Sequence, residues 1–182
     1  MHLYLVRHPQ PTVASDVCYG STDVAIAPQE HARVASALMA ILPKGAALFS
    51  SPLRRCAELA ERLAPLGCAS PVLDARLAEM DFGAWELHAW NDIARCEIDA
   101  WANDLIAYQP GGGESVMQMA ERIRAFYAEV QRTQQNCIVI CHAGSIRMLT
   151  ACLRNLSLTE MAQFAVQKPH KIAYGDVIVL DC

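Results

Sequence analysis

The sequence has almost nothing that would tie the chain to a membrane, a secretory route or a nucleic acid. No basic segment, signal-length apolar run or cleavage site follows Met1, and no later stretch reaches the ~20 apolar residues of a membrane span. A cytoplasmic location without a membrane partner is therefore expected. Charged residues make up only 19% of the chain and the net charge is −4, which leaves no broad basic face for nucleic acid. Any positive site must be local. Cys-x-x-Cys pairs are absent and the six histidines lack paired ligand spacing, so neither a structural metal nor a metal cofactor is expected. Without an export signal the eight cysteines read as reduced, mostly buried small apolar residues. There is no internal repeat, low-complexity tract or Gly/Ser linker, so residues 1–182 read as a single domain. A chain of this length buries roughly two-thirds of its unfolded surface.

What the chain does have is alternation. Leu3-Tyr4-Leu5-Val6 is a buried strand that stops at Arg7-His8-Pro9. After a turn-rich loop comes a helix with Val34, Ala35, Leu38, Met39 and Leu42 in apolar register, then a strand at Ala46-Ala47-Leu48-Phe49. Pro52 suits the first turn of a second helix, which presents Cys56, Leu59, Ala60 and Leu63 on one face. Pro71-Val72-Leu73 is a short third strand. Residues from about 79 to 113, rich in Trp and Met and only partly periodic, read as a small cap of irregular structure and short helices ending at Gly111-Gly112-Gly113. Ser115 and Gln118 form a capping box for a helix carrying Val116, Met119, Ala120, Ile123, Tyr127 and Val130. Cys137 to Cys141 is the fourth strand, Gly144 opens a helix through Met148, Leu149 and Cys152, and Val177 to Leu180 is the last strand. Such alternation predicts an α/β fold: a three-layer α/β/α arrangement with a mostly parallel central sheet and helices on both faces.

Open α/β sheets gather their sites beyond the carboxyl ends of the strands. Arg7 and His8 end the first strand, Arg55 follows the second, Glu79 follows the third and His142 ends the fourth. Parallel strands bring these ends to one edge. Two histidines, two arginines and a carboxylate suit a phosphoryl group, whose oxygens need fixed cations and whose phosphorus needs a nucleophile. Arginine is favoured because its planar fork binds two oxygens at once. Taken singly, each residue has a plainer reading: His142 as a satisfied strand-end histidine, Arg55 as a solvated helix residue, Arg7-His8 as a polar strand end.

Four ordered stretches, Leu5-Val6-Arg7-His8, Ser51-Pro52-Leu53-Arg54-Arg55, Arg76-Leu77-Ala78-Glu79 and Cys141-His142-Ala143-Gly144, resemble the signatures of the histidine phosphatase, or phosphoglycerate-mutase-like, superfamily. Glu79 to Glu86 and Pro110 to Ser115 further resemble its alpha-ribazole phosphatase branch. The resemblance implies a metal-independent phosphomonoesterase with His8 as nucleophile, Glu79 as proton donor and acceptor, and Arg7, Arg55 and His142 holding phosphate oxygens. The family spacing selects Arg55 over Arg54 and Glu79 over its neighbours Asp81 and Glu86, which could exchange roles with it. Thr12, Ser21 and Glu114 are further candidates for substrate contact, with turn and cap roles as their alternative. Trp85, Trp90 and Trp101 read as cap core, one of which could line the pocket.

The implied substrate is a small phosphorylated metabolite, best matched by alpha-ribazole-5'-phosphate of cobalamin nucleotide-loop assembly. A broad-specificity or sugar phosphatase, or mutase-type transfer, is the alternative. Mutases of this superfamily generally carry a longer insertion over the site. Two departures stand out: Pro9 and Leu87 occupy positions where the family commonly has glycine. Proline removes an amide donor beside the nucleophile. The oligomeric state is left open.

Overall fold

A computed structural model describes residues 1–66, 70–167 and 171–182. Its five strands are β1 (His2–Arg7), β2 (Ala47–Ser50), β3 (Val72–Leu73), β4 (Cys137–Cys141) and β5 (Val177–Asp181). They form one sheet in the order β3-β2-β4-β1-β5. All neighbours run parallel except β5, which is antiparallel to β1. The α/β expectation therefore holds, with one antiparallel edge.

The period-2 geometry of the strands divides the core. Leu3 and Leu5 of β1, with Cys137, Val139 and Cys141 of β4, pack on one face against helices α4 (Val116–Thr133), α5 (Ala143–Cys152) and α6 (Leu158–Val166). Val6, Leu48, Ile138 and Ile140 point the other way, against α1 (Pro28–Met39) and α2 (Arg54–Leu63). All five residues of β4 are buried, as expected of a central strand covered on both sides.

Several local expectations shift. Pro52 lies in a bend ahead of Leu53, the N-cap of α2, because Ser51 still belongs to the sheet edge, where its N–H donates to the Ile140 carbonyl at 2.9 Å. The α1 periodicity overruns the helix: Met39 is exposed, while Leu42 reaches the core from the turn beyond. Val72 and Leu73 are exposed, since β3 is a two-residue edge strand. The capping box at Ser115 and Gln118 is present. Among the described residues, α6 is an element the apolar pattern did not reveal, although Ser157 and Glu160 form a capping box of the same kind at its start.

Between β3 and α4 the chain makes 3₁₀ turns at Gly83–Trp85, Trp90–Asp92 and Pro110–Gly112 and a helix, α3 (Arg95–Asn103). Gly83 and Gly111 adopt φ of +52° and +58° where these turns meet, and a Cβ on Gly111 would collide with the Phe82 carbonyl. The seven described cysteines are all unpaired, and Cys68 lies outside the described residues. No described helix is long and apolar enough to cross a membrane.

Candidate active site

The parallel ladder continues past the strand ends and sets the site. Arg7 pairs in register with Cys141, and the next amide, His8 N–H, donates to the Cys141 carbonyl at 3.1 Å. The rings of His8 and His142 consequently lie 5.1 Å apart. Both residues are buried.

His8 Nδ1 sits 2.7 Å from the Pro9 carbonyl oxygen. A carbonyl can only accept, so Nδ1 carries the hydrogen and Nε2 keeps its lone pair. Burial, then the Arg55 guanidinium, push the His8 pKa down to about 3, with the Pro9 hydrogen bond opposing them. The imidazole is neutral at physiological pH.

Arg55, only 1% exposed, donates from Nε to His142 Nδ1 at 3.2 Å, from Nη1 to the Thr22 carbonyl at 2.7 Å and from Nη2 to the Gly20 carbonyl at 2.5 Å. Two of its five N–H groups are left over. Because arginine only donates, His142 Nδ1 must accept, and His142 Nε2–H donates to Ser51 Oγ at 2.9 Å. Burial, His8 and Arg55 hold the His142 pKa well below its ordinary value. Arg7 donates to the Ile172 carbonyl at 2.5 Å and lies 3.8 Å over the ring of Tyr174, whose hydroxyl is 2.7 Å from that of Tyr19.

Glu79 follows the 3₁₀ turn Ala75–Leu77. Its Oε2 accepts the Gly144 N–H at 3.0 Å, at the start of α5 where the helix dipole favours a carboxylate, and its Oε1 accepts from Met80 N–H at 3.1 Å. A Cβ on Gly144 would strike this carboxylate, which accounts for glycine at that position.

A cavity of ≈ 340 Å³ opens beside these groups. Arg7, His8, Arg55 and Glu79 line its polar end, and Met80, Phe82, Trp90, Trp101, Met119 and Met148 its apolar wall. Trp90 and Trp101 are stacked at 8°, and Phe82 meets both edge-on. Two buried donors in the lining, Arg7 Nε and Trp101 Nε1, have no hydrogen-bond partner among the described residues.

The sequence profile of the histidine phosphatase superfamily, branch 1, matches residues 3–174 of this chain. The chain belongs to that superfamily. Relatives within it that are named as phosphatases support phosphoric monoester hydrolysis as the activity of this chain. The adenosylcobalamin/alpha-ribazole phosphatase of Escherichia coli is 31% identical over 97 residues, 50% of this chain and 48% of that protein. This match thus spans about half the relative's length. Phosphoserine phosphatase 1 of Hydrogenobacter thermophilus is 23% identical over 122 residues, 64% of this chain and 58% of that protein. Among solved structures, mycobacterial glucosyl-3-phosphoglycerate phosphatase superposes with a TM-score of 0.81 at 22% identity, covering 98% of this chain and 88% of that one. At that identity the likeness concerns the fold, which is the phosphoglycerate-mutase-like fold expected of a histidine phosphatase.

Of the residues anticipated for a histidine phosphatase site, Arg7, His8, Arg55 and Glu79 converge on the cavity. His142 stands behind them. It is buried, absent from the cavity lining, and has both nitrogens engaged by Arg55 and Ser51.

Three anticipated substrate contacts are placed elsewhere. Thr12 is exposed and donates to the Ala25 carbonyl at 3.2 Å. Ser21 donates from N and Oγ to Glu86 Oε1, and Glu114 is held by Arg122. Polar turn residues satisfy one another across the loops, which composition could not distinguish from contact with a ligand.

The competitors of Glu79 are likewise occupied. Glu86 accepts from the amides of Ser21, Thr22 and Phe82 and from the Thr22 hydroxyl, and exposed Asp81 accepts from Gly83 N–H. Arg54 is exposed and pairs with Glu58 at 3.0 Å. Trp85 is buried in the cap, whereas Trp90 and Trp101 reach the cavity. Reading the sequence missed Arg147 and Tyr19 in the lining. Arg147 had a signal: it follows Gly144 by three residues, one turn along α5. Tyr174, stacked on Arg7, had none, because the two are brought together only by the pairing of β5 with β1.

Proposed function

We propose that the chain is a phosphomonoesterase that works through a phosphohistidine at His8, within a single domain whose residues 79–113 act as the cap. The observation that carries this is the hydrogen bond from His8 Nδ1 to Pro9, which leaves Nε2 of a neutral, buried imidazole as the nucleophile on the cavity that Arg7, Arg55 and Glu79 also line.

In the first step Nε2 attacks phosphorus, the bond to the leaving oxygen breaks, and that oxygen takes a proton from Glu79. Water then attacks the phosphohistidine, its proton passes to the Glu79 carboxylate, and inorganic phosphate leaves with His8 restored. The spare N–H groups of Arg55 and the guanidinium of Arg7, both on the cavity wall, hold the equatorial oxygens and the charge that grows on them. His142 acts on this chemistry through Arg55, whose Nε it accepts.

The substrate supported best is alpha-ribazole-5'-phosphate. The E. coli relative carries that name, and the stacked Trp90 and Trp101 offer a flat apolar wall to a heteroaromatic group. A second reading is a phosphatase of carboxylate-bearing esters such as phosphoserine, favoured by Arg147 in the lining. A screen of purified protein against alpha-ribazole phosphate, phosphoserine, sugar phosphates, phosphoglycerates and nucleotides separates them. Preference for alpha-ribazole phosphate by kcat/KM supports the first reading, and preference for phosphoserine or phosphoglycerate replaces it with the second.

A further inference from the structure

Glu79 lies in the partition between two cavities. On one side is the substrate cavity; on the other is a more open polar hollow lined by Ser21, Asp81, Glu114, Gln118 and Arg122. What fixes the partition is unusual, because four consecutive carbonyls, those of residues 76–79, are held by only two side chains. Arg122 Nη1 donates to the carbonyls of Arg76 at 2.6 Å and Ala78 at 2.7 Å, and Nη2 donates to that of Glu79 at 3.3 Å. Ser145 Oγ reaches the Leu77 carbonyl at 2.9 Å. The two remaining Arg122 N–H groups go to Glu114, Nε to Oε1 at 2.6 Å and Nη2 to Oε2 at 2.7 Å.

All five N–H groups of the guanidinium are thus used in a planar fork that lysine cannot reproduce. Neither Arg122 nor Glu114 lines the substrate cavity. Their partners are the backbone that carries Glu79 and each other.

We infer that Glu114 and Arg122 are a positioning pair: Glu114 orients the Arg122 guanidinium, and Arg122 clamps the backbone at Arg76, Ala78 and Glu79 so that the Glu79 carboxyl meets the leaving oxygen. The inference rests on the reading of Glu79 as the proton donor. It also gives Glu114 a function in place of direct substrate contact. Loosening the clamp displaces one carboxyl group without touching the nucleophile, so it selectively slows the step that needs a proton.

The test compares Arg122→Lys and Glu114→Gln, each alone and combined with Glu79→Gln, in single-turnover phosphorylation by an alkyl phosphate (β-glycerophosphate) and an activated aryl phosphate (p-nitrophenyl phosphate). Both single variants should lose roughly 10²-fold with the alkyl ester, the scale of a misplacement of about 1 Å, and under about threefold with the aryl ester. Neither should lose more once Glu79 is glutamine, because coupled residues are non-additive. Equal losses for both esters, or a loss that persists in full in the Glu79→Gln background, overturns the clamp. If Glu79→Gln itself shows no alkyl-selective defect, the reading of Glu79 falls and the clamp falls with it, a result distinct from additive losses. Circular dichroism and urea midpoints monitor folding; should Arg122→Lys not fold, the isosteric Glu114→Gln decides.

Discussion

His8 Nδ1 and the carbonyl oxygen of Pro9 stand 2.7 Å apart, so the residue that follows His8 dictates which ring nitrogen carries the hydrogen. Proline at this position supplies no amide, yet its carbonyl does the work of tautomer selection as glycine's would. The same buried imidazole has a cost that can be measured.

In the unfolded chain His8 takes up a proton near pH 6.5, and in the folded chain only near pH 3. Between these values the unfolded state binds the extra proton. Stability contributed by the neutral ring is therefore complete above about pH 6.5 and drains away as the pH falls towards 3, by about 1.4 kcal/mol per pH unit for one proton. The pKa values of His31 and His142 are lowered too, chiefly by burial. Urea unfolding between pH 7 and 4 should show stability falling with acid, and His8→Asn should flatten that slope by about one proton. Parallel slopes for the two proteins would refute the shift.

Glu86 looks like an acid in the sequence and behaves as a brace in the fold. Burial raises its pKa, but hydrogen bonds from Thr22, Phe82 and Ser21 prevail and hold it below the usual carboxylate range. Glu86→Gln turns an acceptor into a donor against those N–H groups and should cost about 2 kcal/mol of stability, as a lost charged hydrogen bond does. Alkyl and aryl phosphates should be affected alike. A larger loss for alkyl phosphates would move the proton-transfer role to Glu86.

Glu79→Gln should behave in the opposite way. Turnover of alkyl phosphates should fall by roughly 10²–10⁴-fold, the usual contribution of general acid–base catalysis, while phosphorylation by aryl phosphates stays fast. The variant's phosphoenzyme should accumulate, because the same carboxylate serves hydrolysis. Equal defects for both ester types in single-turnover phosphorylation would contradict the assignment.

The positive charge around the phosphoryl group comes from Arg7 and Arg55 in this account. Incubation with a strong chelator should leave turnover within about twofold of the untreated enzyme, since these side chains take the part that metal ions play elsewhere. Loss of activity restored by added magnesium or zinc would overturn it.

Much of this architecture is readable along the chain because local and long-range signals agree there. Cys137 to Cys141 is apolar on both faces and is the central strand, and Ser115 with Gln118 does cap α4. Arg7, His8, Arg55 and Glu79 are legible because parallel strands deliver their carboxyl ends to one edge. What failed to show was decided by partners far away in sequence. Glu114 is taken by Arg122, Ser21 by Glu86, and Tyr174 by Arg7, each contact set by tertiary packing rather than by spacing. Helix α6 was missed although its Ser157–Glu160 capping box carried a start signal.

Rapid quench with substrate carrying labelled phosphate tests the central claim most directly. An acid-labile, base-stable phosphoryl group should appear on the peptide containing His8 within the first turnover and be lost in His8→Ala together with activity. Label on any other residue, or full turnover by His8→Ala, would contradict it.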